Sequence, residues 1–236
     1  MELFKDYIKN FDLDNTMIKR KYHHSFRVQT LSEMIAKSLG FNDRDYYLAS
    51  ICGLFQDIAR FKQAKEYNTF KDSDSFDHGD EGEIIFNECF ANRLNLSDDE
   101  INLILKSIRY HNKLAIGNDV NDKELLFCKL VRDADKIDIL YQIANDKSLL
   151  EEIDGDINES LHKEFFNKKT LNIKNITNGT EKNLLTLAYF WDINFDLSKK
   201  IICENRYYNK IEKLLNDKRY DEYFKLIYRE MEEIKC

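Results

Sequence analysis

Leu48-Ala49-Ser50-Ile51-Cys52-Gly53-Leu54-Phe55-Gln56-Asp57-Ile58-Ala59-Arg60-Phe61 sets a carboxylate inside an apolar helical pattern. Leu48, Ile51, Phe55 and Ile58 recur at the three- and four-residue spacing of one buried helix face, and the run predicts a single helix over 43–61. Asp57 stands three residues after Leu54 and four before Phe61, so its side chain is carried on an apolar stripe. The same period extends in both directions. Asn15 is a candidate N-cap for a helix running to about Leu39, with Val28, Leu31, Ile35 and Leu39 inward and Gly40 as the stop. Residues 63–76 are polar and read as a loop, followed by a helix over 77–91. Ser97-Asp98-Asp99-Glu100 is a capping box in front of Ile101, Ile104, Leu105 and Ile108, and Asn121 with Glu124 makes a similar entry to a helix ending near Ala144.

Composition points the same way. The 236 residues are 43% apolar, contain no proline and only seven glycines, and turn-rich β architectures depend on both residue types. The expected fold class is all-α. Beyond 145 the chain has two Asp/Asn/Gly-rich breaks, near Asp154-Gly155-Asp156 and at 175–180, around a short helix over 157–166. Helices over roughly 181–215, with a break near Asn194, and 217–235 follow. The expectation is one domain over 1–236, with a helical core at about 15–145 and a helical extension from about 146 packed onto it.

A net charge of −7 disfavours a phosphate backbone as partner, so no nucleic acid is expected. The longest apolar runs, 48–55 and 184–191, are far short of the ~20 residues of a membrane span, and the first residues lack a basic-then-apolar leader. No membrane partner is expected. The five cysteines are scattered and never form a CxxC pair, which suits buried thiols in a reducing, cytoplasmic compartment.

Three of the five histidines extend apolar stripes. His24 precedes Val28 by four residues, His78 precedes Gly82 by four, and His111 follows Ile108 by three. Asp135 follows Val131 by four. A lone buried histidine is ordinarily a hydrogen-bonded core residue. A buried carboxylate must find a cation, donors or a proton, because unpaired it costs several kcal/mol. Five such groups on separate helical segments must satisfy one another or share a metal. Imidazole with carboxylate suits iron, manganese, zinc or nickel, and the lack of cysteine partners argues against a structural zinc site. Arg27 lies three residues after His24 and Arg60 three after Asp57, while Lys136 follows Asp135 directly. These cations serve either as ion-pair partners of buried aspartates or as phosphate contacts. The aromatic run Tyr189-Phe190-Trp191 with Phe195 reads as core packing, and His162 has no obvious partner.

Five segments in order, His24-Ser25-Phe26-Arg27-Val28, Leu54 to Phe61, Asp77-His78 with Gly82, Ser107-Ile108-Arg109-Tyr110-His111-Asn112, and Val131 to Asp138, resemble the signatures of the HD superfamily. Members of that family are mostly metal-dependent phosphohydrolases and phosphodiesterases with a multi-helix bundle. The resemblance implies that His24, Asp57 and Asp135 are ligands of a first metal. It implies that His78 and His111 serve a second, with Asp57 bridging. Asp133 competes with Asp135 for its role, and the Ala134-Asp135 wording favours Asp135. Gln56 departs from the family, because it stands where the name-giving histidine belongs. An amide oxygen is a poorer ligand than imidazole. One ion is then held by His24, Asp57, Asp135 and a weak Gln56, or it shifts toward His78 and His111, or the site has lost its chemistry.

The resulting expectation is a hydrolase that uses one or two divalent transition-metal ions (Fe, Mn, Zn or Ni) on a nucleotide or other small phosphorylated molecule. Asp57 and Arg60 are its candidate catalytic residues, and Arg27, Arg60 and Lys136 its candidate substrate contacts. The second reading is a catalytically weakened HD-fold module that binds a ligand.

Overall fold

The computed structural model describes residues 1–234, and all regular structure among them is helical. The elements are α1 (Glu2–Ile8), α2 (Thr16–Ser38), α3 (Asp43–Phe55), α4 (Ile58–Tyr67), α5 (His78–Cys89), α6 (Asp98–Tyr110), α7 (Asp122–Asn145), α8 (Glu159–Phe166), α9 (Gly179–Ala188), α10 (Asp196–Glu204), α11 (Tyr207–Leu215) and α12 (Asp221–Glu233). The chain divides into two compact units, residues 1–135 and residues from 136 onward, and the division falls inside α7. None of the described helices is long and apolar enough to cross a membrane.

Capping explains most boundaries of the first unit. The Asn15 side chain accepts from the Met17 and Ile18 amides at the start of α2, and Gly40 ends that helix region at φ 71°, a left-handed angle that glycine adopts without strain. Ser97 and Glu100 form the reciprocal capping box of α6. Asn121 and Glu124 exchange the same pair of bonds at the start of α7. At Gly53, an added Cβ would lie 2.9 Å from the Val28 carbonyl, so the absence of a side chain lets α3 lie directly against α2. The core below carries an aromatic cluster: Phe55 has Phe4 at 5.4 Å, Phe86 at 5.2 Å and Phe90 at 4.7 Å between ring centroids. Removing one such buried phenyl costs about 3–5 kcal/mol.

Three expectations are corrected here. The helix predicted over 43–61 is two helices, because Asp57 leaves helical geometry at φ −106°, ψ 21° and a new helix starts at Ile58. The second piece runs on to Tyr67, into the segment read as loop. An amphipathic period cannot report such a break, since Ile58 and Phe61 stay on the buried side in either case. Leu39, expected inward, is exposed because it lies just past the last turn of α2. The segment α1 had no reading of its own, yet Phe4 and Ile8 bury it in the core.

In the second unit, the helix predicted over 181–215 is three helices. A 3-10 turn at Tyr189–Asp192 separates α9 from α10, and Arg206 at φ 53° separates α10 from α11. Only the first break was foreseen. Glu181 ties the two polar breaks together: one carboxylate oxygen accepts from the Asn158 amide (3.0 Å) and side chain (2.6 Å), the other from the Thr177 amide (2.7 Å) and hydroxyl (2.9 Å). His162 has a partner after all, the Tyr223 hydroxyl at 2.9 Å. Cys52, Cys89 and Cys128 are free thiols. Cys236 lies outside the described residues.

Candidate metal centre

The break between α3 and α4 swings the Asp57 carboxylate into a buried cluster, where its two oxygens face different partners. Oδ2 lies 3.2 Å from His24 Nε2, on α2, and His24 Nε2 is in turn 3.1 Å from Asp135 Oδ1, on α7. Oδ1 lies 3.3 Å from His111 Nε2, at the end of α6, and 3.6 Å from His78 Nε2, at the start of α5. The two imidazoles are 3.1 Å apart. The ligand-type atoms of each triad all lie within 4.8 Å of one another, and Asp57 belongs to both. All five residues are buried. Donors each ~2.1 Å from a shared ion and set ~90–110° apart stand about 3.0–3.4 Å from each other, close to the 3.1–3.6 Å spacings of these contacts.

Tautomers sharpen the assignment. His78 Nδ1 is 2.6 Å from Asp72 Oδ2, so the carboxylate holds the proton on that nitrogen. His111 Nδ1 donates to the Ile108 carbonyl at 2.6 Å. Both Nε2 atoms therefore turn lone pairs toward each other and toward Asp57 Oδ1. Three electron pairs pointing into one space form no hydrogen bond with one another; they could hold a cation, as a two-histidine, one-carboxylate arrangement suited to a first-row metal. Burial, with help from the Arg60 charge, pushes His78 down to about 4, which keeps the ring neutral and able to ligate. Burial raises the Asp57 carboxyl, but the Lys21 ammonium beside Oδ2 leads the groups that outweigh it and hold the carboxyl well below the ordinary carboxylate range. Asp135 moves the same way, with His24 overcoming burial.

Gln56 is fully buried beside this cluster, with Nε2 3.0 Å from His24 Nε2. Its Oε1 is buried with no hydrogen-bond partner, a penalty of about 1–3 kcal/mol that native interiors rarely carry. Arg60 is largely a clamp on the loop after α4. One guanidinium nitrogen bonds Gln63, the Phe70 carbonyl (2.7 Å) and Asp72 Oδ1 (2.9 Å), while Nε stands 3.7 Å from Asp57 Oδ1. Arg27 is half-buried one turn beyond His24. Lys136 pairs with Asp192 at 2.8 Å, so its ammonium has a counter-charge of its own.

Sequence reasoning passed over Lys21, Asp72 and Asn112. Lys21 Nζ lies 2.5 Å from Asp57 Oδ2 and 5.4 Å from the centre of the Phe70 ring, which Arg20 and Arg60 also approach, at 5.4 and 5.5 Å. Its position three residues before His24, on the same helix face, was a usable signal. Asp72 sits in a polar loop that carries no periodicity, so nothing in the sequence distinguished it. Asn112, beside His111, donates to Asp77 Oδ1 (3.0 Å) and lies 3.1 Å from His78 Nδ1.

The fold is thus a helical one that brings imidazoles and carboxylates to one shared, buried aspartate, in two groups that could each hold a metal ion. Residues 22–140, just over half of the chain, match the family model of the HD domain, and the chain belongs to that family. The family falls within a superfamily of metal-dependent phosphohydrolases, and its members typically hold divalent metals. No curated protein and no solved structure matches the chain.

Proposed function

We propose that the chain is a metal-dependent phosphohydrolase acting on a nucleotide or another small phosphate ester. The observation that carries this reading is the pair of lone-pair-bearing Nε2 atoms of His78 and His111 converging on Asp57 Oδ1. A divalent ion, when bound, supplies Lewis acidity that lowers the pKa of a water and offsets charge on phosphoryl oxygens. Asp57 would give one oxygen to each side of the centre. Asp72 and the Ile108 carbonyl keep His78 and His111 in the ligating tautomer. Lys21 and Arg60, which converge on Phe70, place positive charge beside the acidic centre, where a phosphate would be attracted and oriented. Arg60 and Arg27 are the proposed phosphate contacts; Lys136, with its own counter-charge, contributes less.

The test is metal analysis of purified protein, then phosphomonoester and phosphodiester panels with Mn(II), Fe(II), Zn(II) or Ni(II). Uptake of metal with turnover abolished by chelation is expected. A protein that takes up none of these ions would overturn the reading. Metal uptake without turnover on either panel would instead favour a ligand-binding module, the alternative suggested by the glutamine at position 56.

Asp72→Asn should weaken metal affinity by ~10–100-fold, because a neutral amide no longer fixes the His78 tautomer. Competition against a chelating dye measures this, and an unchanged affinity would show that Asp72 serves only its bond to Arg60.

A further inference from the structure

Two of the donors expected to bind a first metal are already occupied by the chain's own groups. Lys21 Nζ sits on Asp57 Oδ2 at 2.5 Å and is held from its other side by the face of Phe70. Gln56 Nε2, an amide nitrogen with no lone pair to offer a metal, stands 3.0 Å from His24 Nε2 and fills the space beside that expected ligand. In the other triad His78 Nε2, His111 Nε2 and Asp57 Oδ1 face one another, and the nearest cation, Arg60 Nε, stands 3.7 Å from Asp57 Oδ1, beyond hydrogen-bond distance. The two halves of the centre are thus unequal.

We propose that Lys21 and Gln56 together stand in for the first metal ion, so that this chain holds a single ion in the Asp57–His78–His111 cage while the Lys21 ammonium supplies the charge on the His24–Asp57–Asp135 side. This deepens the metal-centre reading and rests on it. The electrostatic logic is consistent. Asp57 and Asp135 leave two negative charges on that side, and Lys21 offsets part of them without the strong nitrogen ligand that Gln56 removes. A divalent ion entering there would have to displace the ammonium from Asp57 Oδ2, since two cations on one carboxylate oxygen repel. Lys21 is therefore a positioning residue. It biases which cage loads and keeps a cation beside the centre when the other cage is filled.

Manganese(II) with the full-length protein provides the test, read by equilibrium binding and by electron paramagnetic resonance. A single bound ion gives an isolated six-line spectrum, and a pair sharing a carboxylate gives a broadened, spin-coupled one. The wild type should bind a single, uncoupled ion. His78→Ala and His111→Ala should each lose it, whereas His24→Ala should retain it with affinity changed less than about threefold, since His24 lies in the cage without the ion. Gln56→His alone should still bind one ion, because Lys21 remains in place. Lys21→Met combined with Gln56→His should bind a second ion and show coupling. A coupled pair in the wild type, loss of the ion in His24→Ala, or a double variant that folds and still binds one ion would each overturn the proposal. If the double variant does not fold by circular dichroism, the contrast between His24→Ala and His78→Ala still decides. A wild type that binds no manganese, iron, zinc or nickel would instead overturn the underlying metal reading.

Discussion

Replacing Asp57 by alanine is expected to strip the protein of divalent metal and abolish phosphate-ester hydrolysis together. Asp57 is the one residue common to both ligand triads, so its loss cannot be covered by a neighbour. Removal leaves either cage with at most two ligands, and losing a shared anionic ligand lowers activity by roughly a thousandfold or more if the metal carries the chemistry. The helices should survive, because Asp57 precedes α4 without making a side-chain cap bond. The variant does leave Lys21 without its carboxylate, so some loss of thermal stability accompanies the loss of metal. Metal analysis, turnover and circular dichroism on the same preparation separate these effects. Retention of stoichiometric metal would place the ion away from Asp57 and contradict the proposed centre.

Glu181→Ala should lower stability by about 2–3 kcal/mol, although it lies in the second unit and outside the metal cluster. Its carboxylate accepts from two backbone amides and two side chains, and these donors anchor the two polar breaks that flank α8. Alanine would remove this buried acceptor from the Asn158 and Thr177 amides and the Thr177 hydroxyl, while the Asn158 side chain keeps its bond to the Asn175 carbonyl. Glu181→Gln, which keeps one acceptor oxygen, should lose about 1–2 kcal/mol. Burial raises the Glu181 carboxyl, but bonds from Thr177 and Asn158 prevail and lower it overall. Its contribution is accordingly full above the ordinary glutamate range and declines as pH falls through the lowered value. Urea titrations of the three proteins at neutral and acidic pH measure the series. A loss below about 1 kcal/mol for alanine would mean that water replaces the carboxylate at these donors.

The legible and illegible parts of this protein divide along a physical line. Helix starts at Asn15, Ser97 and Asn121 were readable because a cap is a local event, in which a side chain bonds amides two or three residues away. The burial of His24, Asp57, His78, His111 and Asp135 was readable for a similar reason, since each shares an apolar stripe with residues of its own segment. The break at Asp57 is not readable, because the apolar period continues through it while the backbone leaves helical geometry at that one residue. Asp72 was invisible in a loop whose conformation depends on the Arg60 clamp.

By itself, the sequence determined that the chain is helical, that its inward faces carry imidazole and carboxylate, and that an amide, Gln56, directly precedes the central aspartate. Those are properties of local spacing and residue chemistry. Only the tertiary structure decided that Asp57 turns one oxygen to each pair of partners, and that Lys21 and Gln56 already occupy donors on one side. These relations join residues 21 or more positions apart, such as Asp57 with His78 and His24 with Gln56, and they follow from how separate helices pack. No helical period encodes the angle at which two helices meet, and here that angle sets which lone pairs remain free.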